Sequence, residues 1–374
     1  MFLFNSTAVP ALLLVNPNPG PGDVGIGVVG AKATFRFDPR GGVTLDTQAP
    51  FELHGDPKSH PLGLLPADRL SRRGRKFEVM LLGHAHPLHG RAVRDLRVAL
   101  SVGDVRRELA VFGNRTWVGL DGDRPTISAP ELFERMPLTY ERAFGGSFPA
   151  RFDADTVADV YDPINRRGCG FDARSFAESL ARHVGAPPGY PLLEDYQRRL
   201  PNLEDPKALI DGPGDAPEPV GWAPAPADIA VNHLALIRRE SAKARAGQTG
   251  SVFEVPPAAD RAAHDPVADP DEGQYQAHSD WVIDTPAAGA RVRLEHLLPE
   301  AQVVEFPVPP LRVIADYEIY GRAGERELRP VMLVLLPDER AFYIVYASNF
   351  SFERGPATER AFRLRTATGW YQGT

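Results

Sequence analysis

Apolar and polar residues alternate with a period of two in several stretches of this chain, which is the spacing of a strand whose two faces meet different surroundings. In Ala31 to Phe37, the apolar Ala33, Phe35 and Phe37 alternate with Lys32, Thr34 and Arg36, predicting a half-buried strand with its polar side toward solvent. Leu96, Val98, Leu100 and Val102 alternate with Asp95, Arg97, Ala99 and Ser101. Gly103 and Asp104 then supply a tight turn, and Leu109 and Val111 resume the pattern, so a hairpin is predicted. Ala11 to Val15 reads as a first strand. Strands return after about Ser279, at Trp281 to Ile283, Val292 to Leu297, Val303 to Phe306 and Val313 to Tyr320. A final pair, Val331 to Leu336 and Ala341 to Tyr346, is joined by a loop from Pro337 to Arg340.

Between about Ser128 and Pro270 the alternation fades and Pro, Gly, Asp and aromatic residues take over. Two helices are predicted there. One runs from Ser175 to Val184, with Phe176, Leu180 and Val184 on one face and Gly185 as its stop. The other starts near Pro226 or Asp228 and passes Ile229, Val231, Leu234 and Ile237 to about Arg245, before Gly247. The fold class is therefore mainly β. Antiparallel, sandwich-like sheets are expected in a first module at 1–127 and a last module at 271–374, around a loop-rich middle region at 128–270 with a few short helices. Whether the two β modules share one core or keep two is left open by the pattern.

Composition narrows the function classes. The 374 residues include 37 Pro and 34 Gly, more than a helical protein tolerates, because both interrupt helices. A net charge of −7 argues against a duplex-binding surface. The basic cluster Arg69, Arg72, Arg73, Arg75 and Lys76 has no interleaved aromatic residues to stack on bases, so it reads as a solvated loop. Cys169 is the only cysteine, which removes any intrachain disulfide and points to the cytoplasm. The apolar start lacks a basic leading region, and no run approaches the roughly 18 apolar residues of a membrane span. The expectation is a cytoplasmic protein with no membrane insertion and no nucleic-acid partner.

Candidate chemistry is sparse. His84, His86 and His89 place a His-x-His pair on one face of a strand, the arrangement a metal-dependent hydrolase would use, but no second ligand motif accompanies them. Cys169 sits beside Arg166 and Arg167, which favour a thiolate, without a base or a protease-type signature around it. Gly25-Ile26-Gly27 and Gly145-Gly146 lack the spacing and context of phosphate loops, and no Gly-x-Ser-x-Gly elbow occurs. The other unusual segment gathers Phe133, Met136, Pro137, Leu138, Tyr140 and Phe144 around Glu141 and Arg142 and ends at Gly145-Gly146. Two readings fit it: a short helix packed on a sheet with Arg142 paired to a carboxylate, or a contact surface rich in hot-spot residue types.

Several words in order resemble the domain-of-unknown-function 2169 family of bacteria. They are Val28 to Phe35, Val111 to Trp117, Met136 to Gly146, Asn165 to Gly170 and Leu200 to Pro206. Within them, Tyr140-Glu141-Arg142-Ala143-Phe144-Gly145-Gly146 and Leu200-Pro201-Asn202-Leu203-Glu204 are the most specific. The likeness is good over roughly residues 1 to 225 and thins beyond. The chain departs from the family's usual Asn-Pro at Ile164 to Gly168 and from its Trp-Arg at Val345 to Ala347. The resemblance implies a non-catalytic adaptor or chaperone without cofactors. Its partner would be a type VI secretion effector or a PAAR-domain tip protein, and VgrG is the spike on which that cargo is loaded. It makes Tyr140, Glu141, Arg142, Phe144, Gly145, Gly146, Pro201, Asn202 and Glu204 the candidate protein-binding or family-motif residues.

Overall fold

The computed structural model describes residues 2–15, 24–68, 70, 76–119, 125–162, 164–172, 199–225, 275–319, 321–353 and 360–371, with scattered positions between 174 and 193. Among these residues the protein is mainly β, with antiparallel sheets, one of them curled as a half-barrel. The chain divides into two compact units. The first takes 1–84, 99–107 and 279–374, and the second takes 85–98 and 108–278.

In the first unit a ten-stranded sheet follows the order Phe2–Asn5, Arg360–Thr368, Leu311–Ile319, Arg322–Leu336, Ala341–Glu353, Val24–Phe37, Ala11–Val15. Early and late strands thus share one sheet, because Val24–Phe37 pairs along its length with Ala341–Glu353, from Arg36 opposite Ala341 to Val24 opposite Glu353. Off this path, Val43–Leu45 pairs with the end of Val24–Phe37, Lys76–Leu81 lies parallel to Arg322–Leu336, and Val282–Asp284 pairs with Lys76–Leu81. The core face carries stacked rings: Phe35 on Phe342 at 5.1 Å, Phe342 on Phe306 at 5.2 Å and Phe306 on Phe37 at 4.7 Å. Pairs of this kind add about 0.5–1.5 kcal/mol beyond the area they bury. The predicted strand at Val331 begins earlier, at Arg322, and the one at Ala341 continues to Glu353. Phe2–Asn5 and Arg360–Thr368 were not predicted; the signal of the latter, Phe362 and Leu364 against Arg363 and Arg365, is short.

The alternation in Val24–Phe37 misleads on one point. Lys32 and Thr34 belong to the polar set, yet both are buried, because residues 46–68 lie as a strap across that face. The backbone N–H of Asp46 donates to the Thr34 carbonyl and that of Phe51 to Thr34 Oγ1, each at 2.8 Å. Lys32 Nζ reaches the Glu52 carbonyl at 2.9 Å and Asp68 Oδ2 at 2.6 Å, and lies 4.4 Å from the centroid of the Tyr343 ring. Asp68 also accepts from the N–H of His54 at 2.8 Å, and Leu70 fills the space over Gly30 where a side chain would stand. Burial pulls the Lys32 ammonium below its ordinary range while Asp68 pushes it back up. Burial likewise lifts the Tyr343 phenol well above its usual value.

The predicted hairpin is present as Asp95–Val102 and Val105–Phe112, turning at Gly103 with φ of 58°. Its tip, 99–107, belongs to the first unit. There Leu100 faces Leu294 and Val102 faces Val292 of Arg291–Glu295, which pairs in turn with Val303–Pro307. The outward side of these strands is an ion-pair ladder: Arg106 and Arg293 hold Glu295 at 2.5 and 2.7 Å, and Arg291 holds Glu305. The Arg106 hydrogen bond, more than any other cause, brings the Glu295 carboxyl from 4.5 down to about 2.

In the second unit the described positions Arg174, Ala177, Glu178, Ala181 and Arg182 are helical, within the first predicted helix. Ala177 and Ala181 pack with Phe148, Ala150, Phe152 and Val160. Phe176, Leu180 and Val184 of the predicted face, and the whole second predicted helix, lie outside the described residues.

Two outcomes are expected. Asp68→Leu strands the Lys32 charge in the interior and should cost about 3–5 kcal/mol in chemical denaturation, while adding Lys32→Met should recover most of the loss. Glu295 has a depressed folded-state pKa, so its contribution is present above 4.5 and is lost as pH falls toward 2. Glu295→Gln should therefore flatten the acid limb of a pH–stability curve in that window.

Candidate functional site

The second unit brings together the sequence words at 111–117, 136–146, 165–170 and 200–206. Tyr140–Arg142 forms a single 3-10 turn rather than the short helix considered from sequence. Immediately after it, Phe144–Gly145 pairs in parallel with Cys169–Gly170. The Cys169 N–H donates to the Ala143 carbonyl at 3.0 Å, and the Gly146 N–H to the Asn165 carbonyl at 2.8 Å. Gly145 and Gly146 have φ of 139° and 136°, and a Cβ on Gly145 would overlap the Asn165 carbonyl. The two glycines are therefore required by backbone approach and by a conformation that side chains disfavour.

Asn165 is the centre of this arrangement. It is fully buried, and its Nδ2 donates to the carbonyls of Tyr140 at 2.8 Å and Phe144 at 2.9 Å, tying both ends of the turn. Asp162 Oδ1 in turn accepts from the N–H groups of Ile164 and Asn165, holding the Asn165 loop in place. Asn202 does the equivalent work on the other side. Its N–H donates to the Arg142 carbonyl and its own carbonyl accepts from Phe112 N–H, each at 2.8 Å. Its Nδ2 donates to the Phe112 carbonyl at 3.0 Å, and its Oδ1 accepts from Arg142 at 3.1 Å. Arg142 thus bonds an amide and not the carboxylate expected from sequence.

The carboxylate belongs to another arginine. Arg115 is paired with Glu204, both buried, and donates to the Pro201 carbonyl at 2.8 Å while its guanidinium lies 3.9 Å from the Phe112 ring centroid. The second oxygen of Glu204 accepts from the Ile210 N–H at 2.8 Å, and Leu203–Glu204 pairs with Val111 and Ala110. Apolar contacts complete the knot: Tyr140 packs with Ala143 and Ala223, and Phe144 with Leu200 and Ile210.

Of the nine candidate residues, Tyr140, Phe144, Gly145, Gly146, Pro201, Asn202 and Glu204 are buried, Arg142 is half-buried and Glu141 is exposed. Glu141 reaches Arg167 at 3.6 Å across the surface. Most of the block therefore points inward, with its polar groups spent on backbone carbonyls and amides of neighbouring words. Asn165 and Arg115 carry as much of this network, and sequence reasoning named them only as letters within longer words. The signal available was a polar residue inside otherwise apolar or glycine-rich surroundings.

The histidine candidates are brought together in part: His84 Nδ1 lies 2.6 Å from Asp338 Oδ2, and His84, His86 and Asp338 each offer a ligand atom within 4.8 Å of the other two. His89 is not in that group and sits in a left-handed conformation with φ of 57°. Cys169 Sγ points at the Leu200 carbonyl at 3.5 Å, and burial pushes its thiol pKa up, outweighing the lowering by Arg199, Arg142 and Arg115. Gly25 and Gly27 lie within Val24–Phe37. Lys76 of the basic cluster pairs with Asp284 at 2.8 Å, and its four arginines lie outside the described residues. No helix among the described residues is long and apolar enough to cross a membrane.

Residues 23–347 match the model of a family described as an uncharacterized protein conserved in bacteria, domain of unknown function 2169. The chain belongs to this family. The matched span contains every word of the knot, so in this member of the 2169 family the words hold one another. No curated protein and no solved structure matches the chain.

Asn165→Ala leaves the Tyr140 and Phe144 carbonyls buried and unpaired, and should cost about 2–4 kcal/mol in urea denaturation. Glu141→Ala, at the exposed end of the same word, should change stability by less than about 0.5 kcal/mol.

Proposed function

We propose that this protein is a non-catalytic cytoplasmic adaptor, which binds a type VI secretion effector or a PAAR-domain tip protein and promotes its loading onto the VgrG spike. Membership of the 2169 family over residues 23–347 is the observation that carries this reading. The knot is compatible with it in physical terms. Loops whose polar groups are satisfied internally make a fixed scaffold, and a fixed scaffold lowers the ordering cost of holding a partner. Exposed apolar side chains in the second unit, including Leu132, Val118 and Leu209, offer surface of the type that contacts use.

The test is coexpression of the tagged chain with each protein encoded beside its gene, followed by size-exclusion chromatography. A stable complex with one toxin or PAAR protein is expected, and deletion of the gene should abolish secretion of that cargo alone. Failure to capture any neighbouring effector, or loss of all secretion on deletion, would count against an adaptor. Stoichiometric zinc, manganese or iron in the purified chain would instead favour a metal-dependent hydrolase using His84, His86 and His89.

A further inference from the structure

The ten-stranded sheet of the first unit ends in two strands that are consecutive in the chain. Phe2–Asn5 closes one end and Ala11–Val15 the other, with Ser6 to Pro10 between them. Along the path from one to the other there is one parallel step and the remaining steps are antiparallel, which leaves the two end strands running in opposite directions. No ladder joins them among the described residues. The intervening turn is firmly built: Asn5 Nδ2 donates to the Val9 carbonyl at 2.8 Å and Ser6 Oγ to the Leu364 carbonyl at 2.6 Å. The ten-stranded sheet therefore brings its two end strands together at this turn, and the seam between them is flanked by two strand edges that have no ladder partner among the described residues.

The register says which groups face the seam. Lys32 N–H donates to the Pro10 carbonyl at 3.0 Å, so Pro10 opposite Lys32 is a hydrogen-bonded position of the antiparallel ladder. Alternation then turns the backbone N–H and C=O groups of Leu12 and Leu14 toward Gly30 and Val28, and leaves those of Ala11, Leu13 and Val15 directed at the seam. The strand itself is Ala-Leu-Leu-Leu-Val, without the lysine, proline or bulge by which natural edges are protected. Its side chains Leu12 and Leu14 are exposed at 38 % and 45 %, and Phe4 on the other end strand at 57 %.

We infer that this seam accepts an extended, apolar segment of a partner protein as an added strand, antiparallel to Ala11–Val15 and parallel to Phe2–Asn5. A strand lying between two free edges must itself have both edges free. The edge of a second folded copy does not meet that condition, since its Ala11–Val15 is already bonded to Val24–Phe37. An unpaired segment of a partner does, and main-chain hydrogen bonds would supply affinity while alternate apolar side chains meet Leu12, Leu14 and Phe4. The adaptor reading identifies who supplies the segment; the chemistry of the seam does not depend on it.

The probe is a short synthetic peptide alternating valine and threonine, added to the full chain and followed by amide hydrogen exchange and fluorescence anisotropy. The amides of Ala11, Leu13 and Val15 should exchange fast in the free protein and become protected at saturating peptide. Leu13→Pro removes a seam-facing donor without breaking the inner ladder, and should weaken peptide binding at least about tenfold. Should that variant fail to fold, Leu12→Lys with Leu14→Lys, both at exposed positions, carries the same expectation, and Val303→Lys on the other sheet should leave binding unchanged. No protection of these amides overturns the inference, as does their protection in a concentration-dependent dimer without peptide. Capture of a neighbouring toxin that is insensitive to Leu13→Pro also overturns it and leaves the adaptor reading intact. Peptide binding without capture of any neighbour supports the seam and counts against the adaptor reading alone.

Discussion

The ladder between Val24–Phe37 and Ala341–Glu353 is the constraint on which the first unit depends. It sets Phe35 against Phe342, and that pair seeds the stack that continues to Phe306 and Phe37. It also sets Thr34 against Tyr343, whose ring is the floor under Lys32. Both faces of one strand pair are consequently committed, one to an aromatic core and the other to the strap at 46–68. A register slip of one residue would exchange the two faces and put Lys32 among the phenylalanines.

Both units bury polar groups, and each does so under the same rule, that a buried donor or charge must find a partner. In the first unit the partner is Asp68, delivered by the strap, and the match is partial: Asp68 Oδ1 and the Tyr343 hydroxyl are buried without a hydrogen bond among the described residues. In the second unit the partners are mostly backbone carbonyls: the Asn165 side chain donates to both ends of the 140–144 turn, and the Asn202 side chain donates to Phe112 and Asn114 while accepting from Arg142. An asparagine that bridges loops fixes their relative position more narrowly than apolar contact does, because the bonds have direction as well as distance. The glycines at 145 and 146 let the backbones come close enough for those bonds to form.

Local features were legible in the sequence. The hairpin around Gly103 and Asp104 reads directly from alternation and turn chemistry, because its two strands are adjacent in the chain. Lys32 was not legible as a buried residue, since alternation reports which face a side chain takes and says nothing about what covers that face. The same limit applied to Tyr140 and Phe144. Their residue types fit a core and an interface equally well, and only the distant segments around Asn165, Asn202 and Ala223 settle that they turn inward. The burial of Arg115 was not legible either, because its carboxylate partner, Glu204, lies far along the chain.

The pairing of the earliest strands with the latest has a consequence in time. As the chain leaves the ribosome, Val24–Phe37 emerges long before Ala341–Glu353, and residues 38–340 must be made before its partner appears. Residues 108–278 of the second unit are complete well before that moment. During synthesis, therefore, the apolar Ala-Leu-Leu-Leu-Val strand and the glycine-rich strand beside it wait without the neighbour that later covers them. Non-local β pairing of this kind is slow to form and exposed to aggregation.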